Sequence, residues 1–514
     1  MKGGVTLRGR AAATAAAGSV AASPVGLRLP GWSTTSAALA ALGGTAVLAV
    51  LARLPFVGAA LGPDEGGYAY VAREWARGVP LYDGIWIDRP QGLVSVYRSV
   101  LAIADHPWAI RLAALLAGVA ITLLVGAVAW SLCSRAAGVA AAAIYAVAGT
   151  GPHIEGFTLN GELLAALPST AAVLAAIAWW RRGGLRWLVA AGVLGGTGIT
   201  MKQGGFDGLG ACLALVLAAA PGWPARARAA AALVAGALVP VGAALIHALT
   251  VGFGTYWTDI VAFRATSQFH DGSRSYFFES SFPRARQDVL ALAVVALVGV
   301  LAVVRRRTAR VVLLAWLGAG LVAFNVGGLF WAHYYVQLLP VLAVLAGIGA
   351  TAFGSRPLTA VLVGAAVAPT AVSLVAIVSG HEGVRYSKLQ RVDRAVADFV
   401  RVHTAPSDTI YALDSRAELY YLADRRTRYP YLWHHSPLLT PRGRALLRRE
   451  LTGPERPRIV VVYRDPRHFD HSGATSVALH VGYKLVWNPR AGVRVYMRRP
   501  GPRRPRALKP LSRL

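Results

Sequence analysis

Two adjacent carboxylates, Asp64 and Glu65, stand a few residues beyond the first long apolar run, in the stretch LGPDEGGYAYVAREWARGVPLYDGIWIDRPQGLVSVY that fills 61–97. Acids at a membrane surface are ordinarily solvated interfacial residues, and for an isolated pair that reading leads. The neighbours shift the balance. Residues 68–77 follow with helical spacing, placing Tyr68, Val71, Ala72 and Trp75 on an amphipathic face suited to a bilayer interface. A second aromatic and acidic cluster comes next in Tyr82, Asp83, Trp86 and Asp88, then Arg89 and Pro90. Arg89, Lys202 and Arg264 are cations of the kind that grip a lipid-borne anion, by a bidentate fork or a point charge. The plainer alternative is that each snorkels to headgroups, and for Arg264 that alternative leads. Glu155, Asn160 and Glu162 lie where a later apolar run begins, and an acid at a membrane entry must be solvated, paired or functional. His333, Tyr334 and Tyr335, beside Trp331, suit either substrate binding and proton movement or an aromatic belt anchor. His270 and Asp271 sit in an aromatic-rich loop, 252–287, that suits an interfacial flap.

The elements that must position these groups follow from composition. The 514 residues are 55% hydrophobic and 15% charged, where a soluble domain carries roughly a quarter charged residues. The net charge of +29 does not describe a nucleic-acid binder, because the arginines cluster in short gaps between apolar runs and at both termini. Runs long enough to cross about 30 Å of hydrocarbon recur about eleven times. They fall near 36–57, 109–131, 136–150, 161–180, 185–200, 204–220, 229–251, 288–304, 311–329, 333–353 and 357–379. Every second gap carries the cations: Arg135; Arg181, Arg182 and Arg186; Arg226 and Arg228; Arg305, Arg306, Arg307 and Arg310; Arg356. Cationic loops stay in the cytoplasm, so the N-terminus is expected there. The gaps 58–108, 151–160, 252–287 and 330–332, Lys202 with its neighbours, and the chain after about Gly380 then face outward. Lys202 is therefore a cation on the side that topology does not call for, which favours a specific anionic partner.

From about Ser387 the composition turns charged and mixed. A helix over 391–402 and strands over 409–413, 459–463, 483–487 and 493–497, the last two flanking an Asn488-Pro489-Arg490 turn, predict a small α/β domain. The fold class expected is an α-helical polytopic membrane protein of about eleven spans, with juxtamembrane helices in its first outward loop and a soluble C-terminal α/β domain. Its parts are a disordered basic cytoplasmic tail over 1–35, a membrane domain over 36–380, an extracytoplasmic domain over 387–497 and a disordered basic tail over 498–514. Cys133 and Cys212 both lie in apolar runs and define neither a disulfide framework nor a thiolate metal site. Gly195, Gly196 and Gly198 lie inside a span and suit close helix packing rather than a nucleotide loop.

In the order of these motifs the chain resembles the GT-C class of membrane glycosyltransferases, most of all the protein O-mannosyltransferase and lipid A aminoarabinose transferase group. The resemblance rests on Asp64-Glu65, Tyr68-Ala69, Asp88-Arg89-Pro90, Lys202-Gln203 and His333-Tyr334-Tyr335 with Pro340, over roughly 36–380. It departs at Gln91, where a second proline is usual. The resemblance implies a polyprenyl-phosphate sugar donor, an unspecified glycan, lipid or protein acceptor, inversion at the sugar carbon and Asp64 as general base. Glu65 would share the catalytic position, orienting the acceptor or binding a divalent cation, though two oxygens from adjacent residues do not by themselves make a metal site. Tyr68, Asp88, Arg89, Glu162, Lys202, His333 and Tyr334 would bind substrate. No cofactor is certain, a divalent cation is an open option, and the metal ligands are unknown. The partners expected are the lipid-linked donor, the acceptor and membrane lipids, with no nucleic acid, and the location a multi-pass plasma-membrane protein. A transporter or flippase of lipid-linked sugars, with ionisable groups at mid-membrane, and a noncatalytic membrane scaffold are the rival classes. A cysteine introduced at position 64 is expected to react with an impermeant thiol reagent added outside intact cells; labelling only after permeabilisation would reverse the topology.

Overall fold

The computed structural model describes residues 35–267, 276–326, 330–381, 387–413, 416–433, 436–490 and 492–500. His270, Asp271 and most of the two expected basic tails lie outside the described residues. All eleven apolar runs are helical. In chain order the first loop and the first six runs give α1 (Thr35–Arg53), α2 (Pro63–Ala76), α3 (Gln91–Ile103), α4 (Pro107–Leu132), α5 (Arg135–Ala148), α6 (Gly161–Arg182), α7 (Arg186–Met201) and α8 (Asp207–Ala219). The remaining runs give α9 (Gly222–Val251), α10 (Phe282–Val303), α11 (Arg307–Val326), α12 (Leu339–Thr351, entered by a 3-10 turn over Ala332–Leu338) and α13 (Arg356–Val378). Eight of these helical stretches are long and apolar enough to cross a membrane. The other three, α5, α7 and α8, have 14, 16 and 13 residues, about 20–24 Å at the helical rise.

The bundle has a centre and a rim. The stretch Ala332–Thr351 is 94% buried within the protein, whereas Arg356–Val378 is 11% buried and presents its apolar side chains to the surroundings. Glycine sets the tightest contacts: a Cβ on Gly192 of α7 would fall on the Leu233 carbonyl of α9, and one on Gly236 on the Val189 carbonyl, so only the bare backbone allows the two helices to pack. Buried polar groups then fix the register. Asp207 accepts from Ser169 Oγ (3.0 Å), Trp316 Nε1 (2.8 Å) and Gln337 Nε2 (2.8 Å), tying α6, α8, α11 and the 3-10 turn together. Asp288 on α10 accepts from the backbone N–H of His153 (2.8 Å) and Ile154 (3.3 Å) and from Thr370 Oγ1 (3.3 Å), which anchors the connection between α5 and α6.

The first loop folds as helices, with a difference from expectation. Helix α2 starts at Pro63 rather than near Tyr68, so Asp64 and Glu65 stand in its first turn. Proline at the first helical position has its backbone preset, acids there complement the helix dipole, and Glu65 turns back to accept the Gly62 N–H at 3.3 Å. Nor does α2 lie open at an interface: Glu65 to Ala72 are all buried. Glu65 anchors it. One carboxylate oxygen takes an ion pair from Arg111 of α4 at 2.9 Å and the other the Leu159 N–H at 2.9 Å, with both charged side chains 2% exposed. Arg111 also donates to the Ala60 carbonyl at 2.6 Å and lies over the Phe157 ring.

The C-terminal domain comprises α14 (Ser387–His403), β1 (Ile410–Leu413), α15 (Glu418–Ala423), α16 (Pro441–Thr452), β2 (Ile459–Val462), α17 (Ala474–Gly482), β3 (Tyr483–Arg490) and β4 (Val493–Arg498). The sheet order is β1-β2-β4-β3, with β1 and β2 parallel in the register Ile410 to Ile459 and the other pairs antiparallel. The expected Asn488-Pro489-Arg490 turn instead belongs to β3, where the register slips between Trp487 and Arg490. An edge strand tolerates a proline that cannot donate to a ladder. The domain sits directly on α2, because Gly66 and Gly67 give it room: a Cβ on Gly66 would strike Glu418, and one on Gly67 the Trp433 ring. Arg426 completes the seat by gripping Glu74 of α2 at 2.7 Å through both Nε and a terminal nitrogen.

Glu65→Gln strands the Arg111 charge in a buried site and is expected to destabilise the protein by about 3–5 kcal/mol, read as a lower melting temperature in detergent. Asp64→Asn serves as the control, with little effect expected, and equal melting of the two variants would contradict this division of roles.

Candidate active site

Asp64 is presented by the first turn of α2, partly exposed at the end of the bundle where the first loop, the α5–α6 connection and the C-terminal domain meet. Its Oδ1 accepts a hydrogen bond of 3.1 Å from Trp433 Nε1. Its Oδ2 has no hydrogen-bond partner among the described residues. Burial pushes this carboxyl above its ordinary 3.8, against the pull of His333 and Arg89, and Glu155 and Glu162 push the same way as burial. Asp64 is thus a partly exposed carboxylate that resists ionisation and keeps one oxygen without a hydrogen-bond partner among the described residues. Glu65, one residue on, has both oxygens engaged in holding α2, so the pair splits into one acid with an unengaged oxygen and one structural acid. The physical reason is their separation around the helix, which turns adjacent side chains about 100° apart.

The cations gather beside it. Arg89 and Arg264 share Asp88: Arg89 Nη1 lies 3.4 Å from Asp88 Oδ2, and Arg264 Nη2 pairs with the same oxygen. Arg264 Nη1 also donates to Tyr334 OH at 3.4 Å. Arg89 is buried, and its Nε has no hydrogen-bond partner among the described residues. Although burial works against its charge, Tyr68 and Asp88 hold its proton well above the usual range. Lys202 Nζ lies 2.7 Å from Glu162 Oε1 and 4.0 Å from the centre of the Tyr334 ring. His333 Nδ1 stands 3.8 Å from Glu155 Oε2 and packs edge-on against Tyr334. Glu155 occupies a left-handed backbone conformation, φ +58°, where a non-glycine residue is strained. Tyr68 meets Tyr97 edge-on at 5.7 Å and tilts over Trp433 at 5.8 Å.

Every expected substrate-binding residue therefore lies in one connected network at one end of the bundle. Asn160, noted with them, serves the scaffold instead: its side chain caps α6 by accepting the Leu163 N–H at 2.8 Å. Arg264, read from sequence as a snorkelling residue, is an integral member through Asp88 and Tyr334. Three participants carried no sequence signal. Trp433 reaches Asp64 across 369 positions of chain. Glu418, against Gly66, is pushed up to about 7 by burial despite the charge of Arg416, which it meets at 2.7 Å. Asp259, in a π-helical segment over Thr258–Ala262, is likewise pushed up to about 7 by burial and by Asp88. Among the described residues no group of three or more His, Cys, Asp or Glu could hold a metal ion. Glu65, Asp88 and Glu162 are paired with cations, and no step is assigned to a divalent ion.

No protein-family model matches the sequence, and no curated protein matches it. Solved structures match its fold along most of its length. ArnT from Cupriavidus metallidurans bound to undecaprenyl phosphate superposes with a TM-score of 0.64 at 14% identity, over 90% of this chain and 98% of that one. The Archaeoglobus fulgidus oligosaccharyltransferase, tethered with an acceptor peptide containing the NVT sequon, gives 0.56 at 14% identity, over 91% and 75%. The same figures hold for AglB from Archaeoglobus fulgidus in complex with an inhibitory peptide and a dolichol-phosphate. This chain thus has the fold seen in ArnT and in the Archaeoglobus fulgidus oligosaccharyltransferase.

Proposed function

We propose that this protein transfers a sugar from a polyprenyl-phosphate donor to a hydroxyl of an acceptor, with inversion at the anomeric carbon and Asp64 as general base. The observation that carries the reading is the division at the site: one partly exposed carboxylate with an unengaged oxygen, set beside buried cations whose partners belong to the same cluster. Asp64 accepts the proton of the acceptor hydroxyl as its oxygen bonds to the anomeric carbon. The bond from that carbon to the phosphate oxygen breaks, and the electron pair leaves with the phosphate. The carbon passes through an oxocarbenium-like state, so the charge that most needs stabilising develops on the departing phosphate. Arg89 is the first candidate to meet it, because its Nε is unpaired and its charge is held firmly. Arg264 and Lys202 flank it, and Tyr334 touches both of them. The ArnT and AglB structures were obtained with undecaprenyl phosphate and dolichol-phosphate, which supports a lipid phosphate as the leaving group here.

The same reading sets the site and the C-terminal domain on the extracytoplasmic face of the plasma membrane, with the N-terminus in the cytoplasm, as the arginine-rich gaps require. The transporter alternative loses support from the buried acids within the helices: Asp207 and Asp288 are engaged in hydrogen bonds that hold segments of the bundle together.

Purified protein is expected to transfer labelled sugar from a polyprenyl-phosphate donor, and Asp64→Asn to reduce kcat about 10²–10⁴-fold, the range for a lost acid–base group. Because burial raises the Asp64 carboxyl and the base works deprotonated, the wild-type rate falls as pH drops through a value above 3.8; Asp64→Asn loses that limb. Arg89→Gln is expected to lower kcat/KM about 10²-fold, measured with the same donor. Unchanged transfer by Asp64→Asn would refute the assignment of the base.

A further inference from the structure

The contact between Trp433 and Asp64 joins the C-terminal domain to the proposed base. An indole N–H can only donate, and an ionised carboxylate can only accept, so this bond of 3.1 Å is compatible with, and strongest in, the ionised state in which Asp64 can take a proton. The indole is held from several sides. It tilts over Tyr68 at 5.8 Å, meets Trp86 edge-on at 6.4 Å, and passes Gly67 so closely that no side chain fits there. The segment that carries it is sewn to the first loop. Trp86 N–H donates to the Pro430 carbonyl at 3.3 Å, Thr427 N–H donates to Tyr70 OH at 3.0 Å, and Arg426 grips Glu74. Trp433 thereby fixes one oxygen of Asp64 while Oδ2 is left to an incoming hydroxyl.

We propose that Trp433 is a positioning residue for the Asp64 base, so that the C-terminal domain completes the active site instead of merely adjoining it. The inference rests on the sugar-transfer function proposed above. Charged groups act on Asp64 from every element around it: Arg89 from the first loop, Glu155 from the α5–α6 connection, Glu162 from α6, His333 from the 3-10 turn, and Glu418 from the C-terminal domain. Trp433 differs from all of them in being uncharged and hydrogen-bonded to the carboxylate. Its removal therefore alters orientation and proton affinity without altering net charge. Loss of a donor to the ionised form raises the carboxyl, so the acid limb of the rate profile moves to higher pH.

The test is Trp433→Phe, which keeps a ring against Tyr68 and Gly67 but lacks the N–H. It is expected to lower kcat about tenfold and to move the acid limb up by about one pH unit, the size expected for a lost charge-assisted hydrogen bond. The donor KM stays within about twofold, as for an interaction absent from donor binding. In an Asp64→Asn background the same substitution adds no further loss. A Trp433→Phe variant with wild-type kcat and an unmoved limb, or with an equal loss in the Asp64→Asn background, would overturn the proposal. Should Trp433→Phe fail to fold, the Trp433 indole ¹⁵N resonance of the wild-type protein decides. It must titrate with the acid limb and cease to do so in Asp64→Asn, and a pH-independent resonance counts against the bond. Wild-type protein that transfers no sugar from any polyprenyl-phosphate donor would refute the proposed function, and this inference with it. An active wild type with an indifferent Trp433 refutes this inference alone.

Discussion

Charges withdrawn from water at the end of a helical bundle must find partners, because an unpaired buried ion costs several kcal/mol. That constraint organises this protein. Glu65 takes Arg111, Glu162 takes Lys202, and Asp88 is shared between Arg89 and Arg264. Apart from the neighbours Asp88 and Arg89, each pair joins segments far apart in the chain, so satisfying the charges also fixes the first loop against α4, α6 against the α7–α8 turn, and the loop after α9 against the start of α3. Asp64 departs from the pattern. It faces no cation at ion-pair distance among the described residues, its single hydrogen bond is to a neutral indole, and it remains partly exposed. A carboxylate left in that condition has proton affinity to spare.

The C-terminal domain is bound to the membrane bundle by the same economy of space. Two glycines on α2 remove the side chains that would hold the domain away, and Glu418 and Trp433 fill the room they leave. Burial of α2 on both sides follows, and with it the desolvation that raises Asp64. The seat on α2, the proton affinity of the acid and the orientation of its oxygens are consequently one structural fact seen at three scales.

Much of the fold could be read from the sequence because hydropathy over a span-length window depends only on local composition. The eleven helices stand where the apolar runs stand, and the four strands where alternating or β-branched runs stand. What eluded reading depends on contacts remote in the chain. The buried hydrogen bonds of Asp207, which tie α8 to α6, α11 and the 3-10 turn, are of this kind, and no window can show them. The start of α2 was displaced by Pro63 and by the return of Glu65 to Gly62, a capping arrangement that competes with simple periodicity. The nearness of Asp64, Arg89, Lys202 and His333 was legible from type, order and shared sidedness, and the structure brings them to one end of the bundle. Trp433 was not, since a lone tryptophan in a mixed segment looks like any other packed ring, and its value comes from an acid 369 residues earlier. Likewise Glu65, expected beside Asp64 to orient the acceptor or bind a divalent cation, is claimed by Arg111, a residue buried within a span and remote in the chain.

The account turns on whether a lipid phosphate binds on the cationic side of Asp64. An experimental structure of the protein with polyprenyl phosphate bound decides this most directly. It should show phosphate oxygens at about 3 Å from the Arg89 or Arg264 guanidinium, with Asp64 Oδ2 facing the space where the sugar carbon would lie. A phosphate seated at the opposite end of the bundle, or one screened from Asp64 by intervening protein, would contradict it.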